Sequence, residues 1–214
     1  YAAQRAKLID PDKENCEVAP GAPPFSDTTY LTVVDRAGNI LSLIQSNYSA
    51  FGSGITVKGF GFVLQNRGAL FSLDPQSPNV LAPRKRPFHT IIPAFMEKGD
   101  QHIGFGIMGG PNQPLAHAQF VSNFVDYHMN IQAALETARF TVSPDLGCHI
   151  LIESRVKPEV LNTLRSMGHD LDVQKEYSTA MGRGQAILHD SSTNVNYGAS
   201  GPRADGSAEP ESPP

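Results

Sequence analysis
The chain has 214 residues, 40% of them hydrophobic, and a formal charge of −4, which suits one domain with enough apolar residues to bury a core. Its basic residues are dispersed apart from Arg84, Lys85 and Arg86, a short run between two prolines, which argues against nucleic acid as a partner. No uninterrupted apolar run approaches a membrane span and no basic-then-apolar leader opens at Tyr1, so a soluble chain with no visible address is expected.

In chain order, residues 1–10 read as the end of a helix stopped by Pro11. Residues 10–27 are rich in Pro, Gly, Asp and Glu and read as an exposed linker that can be cut without opening a core. Alternation then begins, with Tyr30, Thr32 and Val34 on one face and Leu31, Val33 and Asp35 on the other. The turn Arg36–Asn39 leads into Ile40–Ile44, giving a hairpin apolar enough to lie in a covered sheet. Phe62–Gln65 is a short strand candidate, and Pro75, Pro78, Pro83 and Pro87 mark a long irregular stretch.

Thr90–Met96 and His102–Ile107 predict a second hairpin, leaving through Gly109 and Gly110. Asn112 is placed to cap a helix with an apolar stripe through Leu115, Ala118, Phe120, Val121, Phe124 and Val125. Further elements are a helix over Asn130–Ala138, a strand over Cys148–Glu153, a helix over Lys157–Met167 ended by Gly168, and strands over Leu171–Gln174 and Gln185–Leu188. The polar, proline-rich stretch 201–214 is expected to be mobile. No fixed-period repeat is present, and the order of elements predicts layered α+β with helices covering sheets.

Cys16 and Cys148 belong to no metal-ligand spacing and read as buried or idle thiols rather than a disulfide. The seven histidines form no H-x-x-x-H pair, which disfavours a metal site. Thr28 carries the chemical signal. If the Asp27–Thr28 bond is cut, Thr28 gains a free α-amino group beside its hydroxyl, so nucleophile and general base arrive in one residue.

Asp27–Tyr30, Thr32–Asp35, Gly38–Asn39, Leu41–Ser42, Ser46–Asn47 and Phe51–Ile55 together resemble the gamma-glutamyltransferase family. Asn66, Lys85–Pro87, Pro93, Gly109–Gly110, Ala138–Phe140 and Tyr197–Ser200 continue the resemblance in order, so that it covers Thr28 to about Ser200. It implies the four-layer αββα sandwich of N-terminal nucleophile hydrolases, built jointly by a large and a small subunit of one precursor. Residues 1–27 would be the end of the large subunit with its linker, 28–200 the small-subunit catalytic domain, and 201–214 the tail. The implied partner is the large subunit, in a heterodimer. No cofactor is implied, and family habit suggests a periplasmic or extracellular location.

The resemblance also implies roles. Thr28 attacks Asp27 during self-processing and later attacks substrate; Ser46, where the family commonly has threonine, hydrogen-bonds the nucleophile; backbone N–H groups of Gly109 and Gly110 face the oxyanion. Asn47, Tyr48, Arg67, His89 and Thr90 fall at substrate-binding positions. Here the chain departs from the family: Arg67 stands where an acidic or amide residue meets the substrate's amine, Leu70 replaces an aspartate, His89 and Thr90 replace paired serines, and Tyr48 stands where transpeptidases often have asparagine. A guanidinium repels an ammonium and matches a carboxylate. The expected activity is therefore hydrolysis, or transfer, of a gamma-glutamyl or other acidic acyl group from an amide on a small molecule or peptide. The alternatives are a β-lactam side-chain acylase and an unprocessed binding or scaffold homologue.

Overall fold
A computed structural model describes residues 7, 28–142 and 149–211. Asp27, both cysteines, the linker and, Lys7 apart, the helix expected over 1–10 lie outside the described residues. Nine strands are described: β1 Thr28–Val34, β2 Ile40–Ser46, β3 Ala94–Lys98, β4 Gln101–Met108, β5 Phe140–Val142, β6 Ile150–Glu153, β7 Leu171–Gln174, β8 Arg183–Asp190 and β9 Val195–Ser200. Three α-helices accompany them: α1 Gln113–Val125, α2 Ile131–Glu136 and α3 Pro158–Ser166.

β1 and β2 form the expected hairpin, pairing antiparallel from Thr28 opposite Ser46 to Val34 opposite Ile40. Asp35 fastens its turn. One carboxylate oxygen accepts the N–H groups of Ala37 and Asn39, both at 2.9 Å, and the other accepts Asn39 Nδ2 at 2.8 Å. These bonds, the Asn39 amide foremost, hold the carboxyl below the usual carboxylate range.

The hairpin lies on a four-stranded antiparallel sheet ordered β3-β4-β8-β9. β4 makes the approach possible because the residues facing β1 have no side chains. A Cβ on Gly106 would lie 2.4 Å from the Tyr30 ring, and one on Gly104 would lie 2.6 Å from Thr32 Oγ1. The intervening Ile103, Phe105 and Ile107 belong to a core with Ala116 and Phe120 of α1 and Ile131, Ala134 and Leu135 of α2. Phe105 and Phe120 stack with ring centroids 4.9 Å apart. Helices, sheet and hairpin thus make three successive layers. A smaller sheet, β5-β6-β7, pairs β5 with β6 antiparallel and β6 with β7 parallel.

Several expectations need correcting. Among the described residues nothing covers the outer face of the hairpin, where Leu31, Val33, Leu41 and Leu43 are 40–50% exposed; the inner face is the one carrying Tyr30, Thr32 and Ser42. Phe62–Gln65 makes only one bridge, Thr56 with Val63, because the glycines around it turn the chain too often for a ladder. Asn112 is itself helical and makes no capping bond, since it belongs to a 3-10 turn, Gly110–Asn112, that runs into α1. The buried face of α1 is accordingly Gln113, Ala116, His117 and Phe120, leaving Leu115 and Val125 exposed. Asn130 does cap α2, accepting the Ala133 N–H at 2.8 Å. β5 and β9 were not anticipated as strands.

The stretch 201–214, expected to be mobile, contains a buried residue. Arg203 is 3% exposed and forks onto Glu153, with Nε to Oε1 at 2.7 Å and Nη2 to Oε2 at 2.6 Å. The same guanidinium donates to the carbonyls of Leu135 and Thr137 at 2.8 and 2.9 Å. Glu153 also receives Arg155 Nη2 at 3.0 Å and the Arg139 backbone N–H at 3.1 Å. Burial raises its pKa, but Arg203 and these other donors outweigh that and hold the carboxyl below its ordinary value. Burial, then the charge of Arg203, lowers the pKa of Arg139 to about 9, which leaves it charged at neutral pH.

Two outcomes are expected. Arg203→Ala removes one partner of a fully buried pair and should cost about 3–5 kcal/mol in urea unfolding; a loss near zero would show that water replaces the guanidinium. Because the folded-state pKa of Glu153 lies below its unfolded value, its contribution is complete above the ordinary carboxylate range and is lost as pH falls through the folded value. An acid unfolding curve should therefore flatten in the Glu153→Gln variant.

Candidate active site
The register of the hairpin places Thr28 and Ser46 opposite each other at its open end. Thr28 is 4% exposed, and its hydroxyl donates to Ser46 Oγ at 2.9 Å. The same oxygen accepts the backbone N–H of Tyr48 at 2.9 Å, so Ser46 Oγ is held from both sides. Tyr48 has φ 75°, a left-handed conformation costly for a bulky side chain.

Beyond Tyr48 the chain loops out and returns alongside itself. Asn66 N–H donates to the carbonyl of Asn47 at 3.1 Å, and the Asn66 side chain accepts the Ser49 N–H at 3.1 Å. This stitching delivers Arg67 to the hairpin's open end, at the start of a 3-10 turn, Arg67–Leu70. Arg67 is 1% exposed; Nη1 donates to Thr90 Oγ1 at 2.9 Å, and its guanidinium carbon lies 5.1 Å from the centroid of the Tyr48 ring. Arg67 is thus held inside. Thr90 is buried as well, whereas His89 is exposed, with Nδ1 2.7 Å from the carbonyl oxygen of Pro87. Asn47 takes part through its backbone carbonyl.

The contact between sheets relates the glycine pair to this end. Thr32 lies over Gly104 and Tyr30 over Gly106, so the same two-residue step carries Thr28 toward Met108, immediately before Gly109 and Gly110. Behind the pair is the turn Thr179–Gly182. A Cβ on Gly109 would lie 3.1 Å from Gly182 Cα, the Asn112 side chain donates to the carbonyl of Ala180 at 3.4 Å, and Arg139 Nη1 donates to the carbonyls of Met181 and Gly182 at 3.2 and 3.1 Å. Gln113 Oε1 accepts the Ile92 N–H at 3.0 Å, joining the segment after Thr90 to the start of α1. His117 supports α1 from within, with Nδ1 2.6 Å from the Gln113 carbonyl oxygen; burial lowers its pKa, so it is a neutral structural imidazole.

Thr28, Ser46, Tyr48, Arg67 and Thr90 are therefore brought together, and His89 stands apart from them. The backing residues Asn112, Gln113 and Gly182 were missed by sequence reasoning. The alternating Gly104 and Gly106 within an apolar strand were a usable signal for close approach of another backbone.

A family model described as Gamma-glutamyltranspeptidase matches residues 1–211. The chain is 38% identical over 194 residues to the glutathione hydrolase-like YwrD proenzyme of Bacillus subtilis, covering 89% of this chain and 37% of that protein. It is 38% identical over 186 residues to the oxamate amidohydrolase proenzyme of Klebsiella pneumoniae, covering 85% and 35%. Among solved structures, a cephalosporin acylase from Bacillus halodurans superposes with a TM-score of 0.76 at 43% identity, covering 83% of this chain and 33% of that one. The chain spans about a third of the length of the curated relatives it matches.

Substitution of Gly182 tests the backing of the glycine pair. At φ 78° an added Cβ would lie 2.9 Å from the Met108 carbonyl oxygen, so Gly182→Ala should lower unfolding stability by about 1–3 kcal/mol. An unchanged denaturation midpoint would show that the loop yields freely.

Proposed function
The chain belongs to the gamma-glutamyltranspeptidase family, with the α+β fold of N-terminal nucleophile hydrolases, and from that premise we propose that it is the catalytic part of a self-processing N-terminal threonine amidohydrolase. The observation that carries this reading is the 2.9 Å hydrogen bond from Thr28 Oγ1 to Ser46 Oγ at the open end of the hairpin. In processing, the Thr28 hydroxyl attacks the Asp27 carbonyl carbon, the acyl group moves from nitrogen to oxygen, and water cleaves the ester. This leaves an Asp27 carboxylate and a free Thr28 α-amino group. The two resulting pieces of the precursor form a heterodimer.

In turnover the α-amino group takes the hydroxyl proton as Thr28 attacks a substrate amide, and that proton passes to the departing amine. Ser46 holds the hydroxyl in place, and the backbone N–H groups of Gly109 and Gly110 receive the oxyanion. Water then hydrolyses the acyl-Thr28 ester. No cofactor takes part. Hydrolysis is favoured over transfer because the residues that recognise the substrate's amine are altered, with Arg67 for an acidic or amide residue and Leu70 for an aspartate.

Arg67 bears on the acyl group. Buried beside Thr90, it suits a carboxylate and opposes an ammonium. The oxamate amidohydrolase relative acts, by its name, on an amide that carries a carboxylate. A second reading, side-chain acylase action on β-lactams, is favoured by the 43% identity to a cephalosporin acylase.

The test uses the whole precursor, including the region upstream of Tyr1. Intact mass should reveal a fragment beginning at Thr28, absent in Thr28→Ala. Oxamate, succinyl p-nitroanilide and glutaryl p-nitroanilide should be cleaved in preference to γ-glutamyl p-nitroanilide, and an acyl-cephalosporin arm separates the second reading. Ser46→Ala should slow acylation by about 10²-fold or more while Ser46→Thr retains it. Efficient glutathione cleavage would overturn the role given to Arg67, and persistence of the uncut chain would overturn the catalytic reading.

A further inference from the structure
The ladder between β3 and β4 stops at Ala94, opposite Phe105, although β4 runs on to Met108. Continued in the same register, Ile92 would lie opposite Ile107 and Thr90 opposite Gly109. Two side chains of α1 intervene. Ile92 N–H donates to Gln113 Oε1 at 3.0 Å, and Ile107 N–H donates to His117 Nε2 at 3.4 Å. The Gln113 carbonyl accepts from His117 Nδ1 at 2.6 Å, which leaves Nε2 as the acceptor. Burial, foremost, keeps the ring neutral, although the Gln113 and Ile92 carbonyls favour its charged form. Gln113 is fully buried and its Nε2 has no partner among the described residues. An apolar residue would avoid that cost, so what glutamine contributes here is the acceptor facing Ile92.

We propose that Gln113 and His117 are positioning residues that act as a spacer: by taking the hydrogen bonds of Ile92 and Ile107 they hold the segment carrying Thr90 off the end of β4 that leads to Gly109, and the width so kept sets the length of acyl group that fits between them. This rests on the reading of Gly109 and Gly110 as oxyanion donors and of Thr90 as a substrate-binding residue, and deepens it. A resumed ladder would bring the two backbones to about 4.8 Å, the ordinary distance between paired strands, with no room for a chain between them. The amide and the imidazole satisfy the same two N–H groups without that approach. Both side chains come from the first turns of one helix, four positions apart, so the two backbones are held against a common rigid element. The spacer acts on substrate through Thr90 and Gly109.

The test uses the whole precursor and the oxalyl, malonyl, succinyl and glutaryl p-nitroanilides, compared by kcat/KM on matured enzyme, with folding followed separately by urea unfolding. The wild type should prefer one length. His117→Gln carries an amide oxygen near the place of Nε2 and should keep that preference. His117→Asn can still donate to the Gln113 carbonyl but leaves Ile107 unpaired, and Gln113→Met keeps the bulk and loses the acceptor. Each of these two should shift the preference toward shorter donors by about tenfold. A folded His117→Asn or Gln113→Met precursor that stays uncut while His117→Gln is cut also supports the spacer, because Gly109 receives the oxyanion of processing as well. The wild-type length profile in folded, matured His117→Asn and Gln113→Met, or an equal shift in His117→Gln, would overturn this inference alone. So would a wild type indifferent to length. Loss of the folded state in both His117→Asn and Gln113→Met would overturn it by reducing the pair to packing. A wild-type precursor that stays uncut would overturn the catalytic reading and this inference with it.

Discussion

The arrangement depends on how closely the hairpin approaches the four-stranded sheet beneath it. Tyr30 rests on Gly106 and Thr32 on Gly104, at distances that leave no room for a Cβ. Tyr30 OH in turn donates to Ser42 Oγ at 2.7 Å, and Ser42 donates to the Ala94 carbonyl at 3.0 Å, so a polar thread crosses from one sheet to the other. Burial raises the tyrosine's pKa, keeping it a neutral donor. Thr28 begins the strand seated this way and inherits its position. The glycines of β4 therefore set the separation of the layers and, through it, the relation of Thr28 to the loop that follows β4.

A second constraint comes from charge. The guanidinium groups of Arg203 and Arg155 meet on Glu153, and Arg139, whose backbone N–H also donates to that carboxylate, holds the carbonyls of the turn behind Gly109 with its side chain. Buried ions of this kind are costly apart and tolerable together. Their value here is geometric, because guanidinium forks tie α2, β6 and the Met181–Gly182 turn at fixed angles. The left-handed turn at Gly182 is thereby kept against Gly109.

Much of this was legible in the sequence. Period-two alternation in Tyr30–Asp35 located the hairpin and its faces, and the helical period after Asn112 located α1. Alternation does not say which face is inward: Leu31 and Val33 are the more hydrophobic, yet they face out among the described residues, because glycines in a distant strand select Tyr30 and Thr32 instead. The same non-locality hid the capping failure at Asn112, whose side chain turns to Ala180, and the burial of Arg203 in a stretch of disordered composition. Arg67 was legible as a chemical departure by resemblance; its enclosure by Tyr48 and Thr90 was not, since loop stitching through Asn66 has no periodic signature.

Chain order adds a consequence in time. β4 pairs with β8, β8 pairs with β9, and Glu153 waits for Arg203, so the support beneath Thr28 comes from residues synthesised well over a hundred positions later. A growing chain exposes Thr28 before β8, β9 and Arg203 exist to hold it. Until Arg203 has left the ribosome, Glu153 lacks its bidentate partner. The frame around Thr28 is thus completed only once Arg203 has been made, and a chain stopped short of it lacks part of that frame.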